Sequence, residues 1–167
     1  MGDNKRKGKI KRQPVSQQSE MDELLETAMY KEVASQAFYI GGQRNTQDTG
    51  AITLMKELAE AESRHLEWLK QLKKKGLTTH GYYPRRVIDL KVSEYLTGGD
   101  SLEGAGLQDT LTFAVKREQK AVEFYSNMMG VMRDKAAKRL CQRLARAELE
   151  HKYKLETFYD DLFYAEN

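Results

Sequence analysis

Apolar residues recur every three or four positions along four stretches of the chain, which is the spacing of one face of an α-helix. The first stretch starts near Ser19, a candidate N-cap, and the pair Gly41-Gly42 is predicted to end it. The second runs to about Lys75, and the third begins between residues 107 and 109 and closes at Gly130. The fourth begins at Asp134, another candidate N-cap. The pattern therefore predicts four long helices and no strands.

The segment between the second and third helices, residues 76–106, breaks this pattern with repeated glycines and one proline. We expect one short helix within it, over residues 87–96. A connection of this length is too long for a simple turn between adjacent antiparallel helices. It predicts a crossover that joins two helical hairpins, residues 19–75 and 107–164, into an antiparallel four-helix bundle. The expected domain covers residues 19–167.

Glutamate and histidine interrupt the apolar face of every predicted helix. The second helix carries Glu62 and His65 on a stripe that is otherwise Ala, Met and Leu, and the fourth carries Glu148 and His151 in the same way. The first and third helices each place one glutamate on the inward face. The six residues at predicted core positions are Glu32, Glu62, His65, Glu118, Glu148 and His151.

The two hairpins are related by an internal repeat at an offset of 86 residues. Ten of the residues that are identical at this offset lie mostly on the predicted buried stripes. Glu32, Phe38 and Tyr39 match Glu118, Phe124 and Tyr125; Leu54, Leu58, Ala59, Ala61, Glu62, His65 and Leu69 match Leu140, Leu144, Ala145, Ala147, Glu148, His151 and Leu155. The repeat indicates one helical hairpin used twice.

Four buried carboxylates close together need compensation, because each ionised carboxylate in an apolar interior costs several kcal/mol, on the order expected for buried ions. Two divalent cations would balance the four negative charges. A glutamate and a histidine three residues apart lie on one face of a helix and can bind the same ion. The spacing therefore predicts a site for two metal ions, to which each Glu-x-x-His pair contributes an oxygen and a nitrogen.

Mixed carboxylate and imidazole ligation favours iron, with manganese as an alternative, over metals that prefer thiolates. Six protein ligands leave coordination positions open on two ions, whereas structural zinc sites are normally closed. Open positions favour redox chemistry, although a structural metal stays an alternative. Tyr39 and Tyr125, two turns after Glu32 and Glu118, either donate hydrogen bonds to ligand carboxylates or pack as ordinary core residues.

These six residues, together with the pairs Phe38-Tyr39 and Phe124-Tyr125, resemble the ferritin-like superfamily, and in particular rubrerythrin-type proteins. The resemblance covers about residues 20–164. It implies a four-helix bundle around a central non-haem di-iron centre, held by the six residues, and a homodimer or larger homo-oligomer. It also implies reaction of bound Fe(II) with peroxide or dioxygen.

The chain departs from the rubrerythrin pattern at two points. Rubrerythrins commonly carry a rubredoxin domain with four cysteines, whereas this chain has Cys141 alone, so electrons would come from an external donor. Ala121 stands where rubrerythrins have a further glutamate, so the set is similar to that of bacterioferritin. We expect a di-iron peroxidase or ferroxidase. An iron-binding or iron-storage protein without turnover, or a bundle with a vestigial site, is the alternative.

Composition adds a basic tail to this picture. Residues 1–18 contain six lysines and arginines and one aspartate, so the rest of the chain is slightly acidic although the whole carries +3. Such a polar segment is predicted to be disordered, and contact with nucleic acid through it is not expected. No apolar run is long enough to span a bilayer and no signal peptide is evident, so we expect a cytoplasmic protein with no membrane contact.

Overall fold

The chain forms four long α-helices in a computed structural model that describes residues 17–75, 89, 91–94, 96 and 105–164. The helices are α1 (Gln17–Arg44), α2 (Thr49–Lys75), α3 (Leu107–Val131) and α4 (Lys135–Phe163). A short 3-10 helix at Val92–Glu94 precedes α3. Among the described residues there is no strand. The predicted all-α, four-helix architecture is confirmed.

Two helical hairpins, α1–α2 and α3–α4, pack face to face. The helices α1 and α3 run antiparallel, because Lys31 lies over the Phe124 ring while Phe38 contacts Phe113. The helices α2 and α4 are also antiparallel, since Gly50 lies against Phe158 and His65 stacks on His151. The described helices therefore form an antiparallel bundle in which residues 76–106 connect α2 to α3.

The interior of the bundle has an apolar cluster towards each end and a polar layer between them. One cluster contains Leu25, Leu69 and Leu144, and the other contains Leu58, Leu111 and Leu155. Full burial of each such side chain contributes about 1.5–3 kcal/mol to folding. Along every helix the glutamate or histidine of the predicted site falls between these two clusters. The apolar ends thus fix the four helices around a polar centre.

The boundaries of α2, α3 and α4 lie close to the predicted ones. The carboxylate of Asp134 accepts a hydrogen bond from the backbone N–H of Ala137 at 2.8 Å, which confirms the predicted N-cap of α4. The third helix ends at Val131, one residue beyond the predicted Gly130. At the same turn, Glu20 accepts hydrogen bonds from the backbone of Arg133 and Asp134 and so connects α1 to the second hairpin.

The predicted limits of α1 were wrong at both ends. The helix begins at Gln17 and continues through Gly41-Gly42 to Arg44. A glycine costs a helix only about 1 kcal/mol relative to alanine, which tertiary packing can outweigh. Gly42 is buried against Met55, and a Cβ atom built on it would lie 2.6 Å from the methionine sulfur. The second glycine therefore allows close packing of α1 on α2 instead of ending the helix.

Several predictions concern residues outside the described part of the chain. The basic tail, residues 1–18, lies outside it except for its last two positions, which belong to α1. Most of the crossover 76–106 also lies outside, and of the expected short helix at 87–96 the described residues contain the 3-10 turn Val92–Glu94. None of the described helices combines the length and the apolar character needed to span a membrane.

Candidate metal centre

All six of the predicted site residues are buried and converge at the middle of the bundle. Each of the four helices contributes at least one of them, because the residues occupy equivalent positions in the two hairpins. Their side chains are at most 3% exposed: Glu32, Glu62, His65, Glu118, Glu148 and His151. The structure therefore brings together every residue that the sequence pattern assigned to the site, while metal binding by them stays a prediction.

Glu62 lies between the two histidines and presents one carboxylate oxygen to each. Its Oε2 is 3.3 Å from Nδ1 of His65, and its Oε1 is 3.2 Å from Nδ1 of His151. The sequence spacing had paired Glu62 with His65 alone. In this position Glu62 presents one oxygen towards each histidine, so its carboxylate could contribute to a metal site on either side.

Two overlapping groups of residues have ligand atoms within 4.8 Å of one another. One group is Glu62, His65 and His151, and the other is Glu62, Glu118, Glu148 and His151. Glu32 adjoins the first group, with Oε2 3.4 Å from Nδ1 of His65. Glu62 and His151 belong to both groups, so the two groups form one continuous cluster of possible metal ligands.

The residues fit a metal because many of their polar atoms lack hydrogen bonds. Within the described part of the chain, six of their atoms are buried without a hydrogen-bond partner: both carboxylate oxygens of Glu32, Oε1 of Glu62, one oxygen each of Glu118 and Glu148, and Nδ1 of His151. Buried polar groups in native proteins are almost always paired, since an unpaired one costs about 1–3 kcal/mol. Divalent cations bound between these oxygen and nitrogen atoms would satisfy them together.

Burial and mutual repulsion raise the pKa of three carboxyl groups in the absence of a cation. Burial is the larger cause for Glu32, Glu118 and Glu148. The negative charge of Glu62 raises the pKa of all three further, and that of Glu148 adds to the effect on Glu118. Without metal these groups hold protons at a pH where an exposed glutamate is ionised, and metal binding must displace those protons.

Glu62 and His151 form the charged pair of the site. Burial alone would raise the pKa of the Glu62 carboxyl, but the charge of His151 and the close contact of both imidazole rings outweigh burial and lower it. Conversely, burial disfavours the charged form of His151, while attraction to Glu62 and contact with Glu148 raise its pKa well above the ordinary value. Without metal, a protonated His151 thus supplies part of the positive charge that a bound cation would supply to the site.

The two tyrosines at equivalent positions differ in their contacts. The Tyr39 hydroxyl donates a hydrogen bond to Oε1 of Glu118, whereas the Tyr125 hydroxyl is buried without a partner among the described residues. Burial raises the pKa of both phenols, and the charges of the site glutamates raise it further. Of the two alternatives predicted for these residues, Tyr39 orients a candidate ligand and Tyr125 packs in the apolar cluster.

The sequence pattern did not predict a buried ion pair on α4, close to the site. Lys152 and Glu156 are fully buried on α4, and Nζ of Lys152 is 2.5 Å from Asp89 and 3.4 Å from Glu156. Glu156 also accepts a hydrogen bond from the backbone N–H of Ser93. The four-residue spacing of Lys152 and Glu156 indicates a pair on one helix face. Their burial depends on the connecting segment, which no helical periodicity reveals.

Comparison with known proteins supports the fold and leaves the chemistry open. No protein-family model matches the chain, and no curated protein matches it. A solved structure of a hypothetical protein from Pyrococcus furiosus is similar, with a TM-score of 0.59 and 23% sequence identity. The match covers 88% of this chain and 92% of that one. The likeness at this level of identity extends to the fold alone.

Proposed function

We propose that this protein is a non-haem di-iron oxidoreductase of the ferritin-like, rubrerythrin-related type, which oxidises bound Fe(II) with peroxide or dioxygen. One observation carries the proposal: four glutamates and two histidines from four helices meet in the core, where five carboxylate oxygens and one imidazole nitrogen lack a hydrogen-bond partner among the described residues. A bundle that needed only stability would fill this layer with apolar side chains, because buried charges are retained at a cost.

The donor set favours iron and admits manganese. Oxygen from four carboxylates and nitrogen from two imidazoles suits these metals, and two divalent ions match the charge of the four glutamates. With six protein side chains shared between two ions, coordination positions remain for an oxidant. Bound iron would supply the electrons that reduce peroxide or dioxygen.

The protein residues would position the ions and manage protons. Glu62 faces both histidines, so its carboxylate would be a ligand shared by the two ions. Tyr39 holds the carboxylate of Glu118 in one orientation through its hydrogen bond. The apolar clusters on both sides exclude water from the layer, which strengthens every electrostatic interaction inside it.

The proposal is tested by anaerobic loading with Fe(II) followed by rapid mixing with peroxide and, separately, with dioxygen. We expect about two Fe(II) per chain by elemental analysis, as for paired carboxylate sites, and oxidation faster than that of free Fe(II). The matched variants are Glu62→Ala and Glu60→Ala, because Glu60 is exposed on the same helix. Undiminished iron binding in Glu62→Ala and Glu148→Ala would contradict the proposal.

The same experiment separates catalysis from storage. Repeated oxidation of the site in the presence of a reductant supports an oxidoreductase that receives electrons from an external donor. A single oxidation followed by retention of the iron supports the alternative, an iron-binding or iron-storage protein. Chains that take up neither iron nor manganese would indicate a vestigial site. A cytoplasmic location and a homodimer or larger assembly belong to the same proposal.

A further inference from the structure

A cationic pocket of about 350 Å³ lies between α1 and α3. Its walls carry the basic side chains Lys31, Lys116, Arg117 and Lys120, and no acidic residue is among the described residues that line it. Four cations around one concavity produce a positive potential that attracts anions. The volume lies in the range of about 300–1,000 Å³ that is typical of pockets for small molecules.

The internal repeat places two of these cations opposite each other. Lys31 and Arg117 are equivalent at the offset of 86 residues, and each lies against the phenylalanine of the other hairpin. The Lys31 Nζ is 4.7 Å from the centre of the Phe124 ring, and the Arg117 Cζ is 5.4 Å from that of Phe38. These contacts fix both side chains across the helix pair, so two preoriented cations face the same pocket.

Arg117 retains unused hydrogen-bonding capacity. One terminal nitrogen of its guanidinium donates to the Ser35 hydroxyl at 3.1 Å, while its Nε–H is buried and has no hydrogen-bond partner among the described residues. A buried guanidinium donor that is left unpaired is costly. The guanidinium presents its remaining donors as a fork that matches a phosphate or carboxylate group in the pocket.

The rest of the wall is suited to the uncharged part of a ligand. Phe113 contributes an aromatic surface, and Ala121 contributes a methyl group at the position equivalent to Ser35. The small side chains at 35 and 121 leave room between the helices. The pocket thus combines an anion-binding end with an aromatic wall, which is the complement of an organic anion.

We infer that this pocket binds a small organic anion, in which a phosphate or carboxylate group contacts Arg117 and the lysines and an apolar or ring-shaped part packs on Phe113. The inference does not depend on the metal centre, because none of the pocket residues belongs to it. It assigns a ligand class to the α1–α3 groove that the proposed iron chemistry does not require.

The test is calorimetric titration of the metal-free 167-residue chain with phenyl phosphate. Benzoate tests the carboxylate, inorganic phosphate tests the anion alone, and phenol tests the ring alone. We expect phenyl phosphate or benzoate to bind more tightly than either fragment, with one molecule per chain. The result that overturns the inference is that no probe binds, or that phenol binds as well as the two organic anions.

Variants locate the site. Arg117→Gln is expected to weaken binding of the organic anion by about tenfold or more, because hydrogen bonds to charged groups are the strong ones. Lys120→Gln, at an exposed position, is expected to weaken it to a smaller degree, and Lys56→Gln, exposed on α2, is the matched control. Equal binding by Arg117→Gln and by the unaltered protein would overturn the inference.

A structural role of Arg117 must be kept apart from ligand binding. Circular dichroism and thermal unfolding without ligand show whether Arg117→Gln folds, and if it does not, Lys120→Gln decides the question alone. The alternative is that the basic side chains of the pocket only offset the negative charge of the glutamates in the candidate metal centre. In that case Arg117→Gln would alter Mn²⁺ affinity and leave phenyl phosphate affinity unchanged, which counts against the inference.

Discussion

The imidazole rings of His65 and His151 stack on each other, with centroids 5.1 Å apart and planes inclined by 15°. The two residues are 86 positions apart, at equivalent places in the two hairpins. The same carboxylate, that of Glu62, contacts both rings. The internal repeat therefore produces a shared centre in the fold, and the first prediction concerns the residue that is shared.

Glu62→Gln is expected to weaken both metal positions, whereas His65→Gln is expected to weaken mainly one. The reason is that each oxygen of Glu62 faces a different histidine, while His65 belongs to one of the two candidate ligand groups. Titration with Mn²⁺, followed by equilibrium dialysis and elemental analysis, measures the number of ions per chain. Glu60→Gln is the control. Loss of one ion in Glu62→Gln and of two in His65→Gln would contradict the bridging geometry.

The metal-free protein is expected to lose stability as the pH rises above the ordinary glutamate pKa of 4.5. Glu32, Glu118 and Glu148 have raised pKa values in the folded chain, so the folded state holds protons that the unfolded state has released. Their contribution to stability is complete below the unfolded pKa and disappears as the pH rises through the folded values.

Thermal unfolding of metal-free protein between pH 5 and 8, with and without Mn²⁺, measures this effect. The metal should flatten the pH dependence, because cations replace the protons, and apparent Mn²⁺ affinity should increase with pH. A metal-free stability that does not decrease over the same range would contradict the raised pKa values of these three carboxyls.

Tyr39→Phe and Tyr125→Phe are expected to differ although the residues are equivalent in the repeat. Tyr39→Phe removes the donor to Glu118 and should cost about 1–3 kcal/mol in metal-free protein. Tyr125→Phe removes a buried hydroxyl that has no partner among the described residues, so it should cost no stability and should stabilise the protein by up to about 1–3 kcal/mol. Urea unfolding measures both. Equal losses would mean that the two hydroxyls have equivalent partners.

The sequence predicted the four helices and the six converging residues because both depend on the period of one helix at a time. Glu32 and His151 can be recognised as polar residues on an apolar helix face without knowledge of any neighbouring helix. The continuation of α1 through Gly41-Gly42 could not be predicted, because it depends on Met55 of another helix. The burial of Lys152 was missed for the same reason, since its partner Asp89 comes from the connecting segment.

Gly41→Ala is expected to stabilise the protein and Gly42→Ala is not. Alanine is favoured over glycine in helices by about 1 kcal/mol, and a Cβ at position 41 meets no atom within 4 Å. At position 42 the same Cβ would lie 2.6 Å from the sulfur of Met55, which is fully buried. Comparison of melting temperatures decides the matter. A larger gain from Gly42→Ala than from Gly41→Ala would show that Met55 moves aside at little cost.

Lys152→Met is expected to destabilise the protein by about 3 kcal/mol, the order of cost when one partner of a buried ion pair is removed. The substitution leaves Glu156 buried beside Asp89 without its cation. Asp89→Asn should cost less, since Asp89 is about one-third exposed and water can replace its contact.

The double variant Lys152→Met with Glu156→Leu separates charge from packing. Removal of both charges eliminates the unpaired carboxylate, so we expect part of the stability lost in Lys152→Met to return. The hydrogen bond from the Ser93 backbone to Glu156 is lost in the double variant, which limits the recovery. Chemical denaturation of all three variants measures these differences. If Lys152→Met costs no more stability than Asp89→Asn, solvent reaches the Glu156 carboxylate. The contacts of Asp89 and Ser93 with α4 would then not be what keeps Glu156 buried.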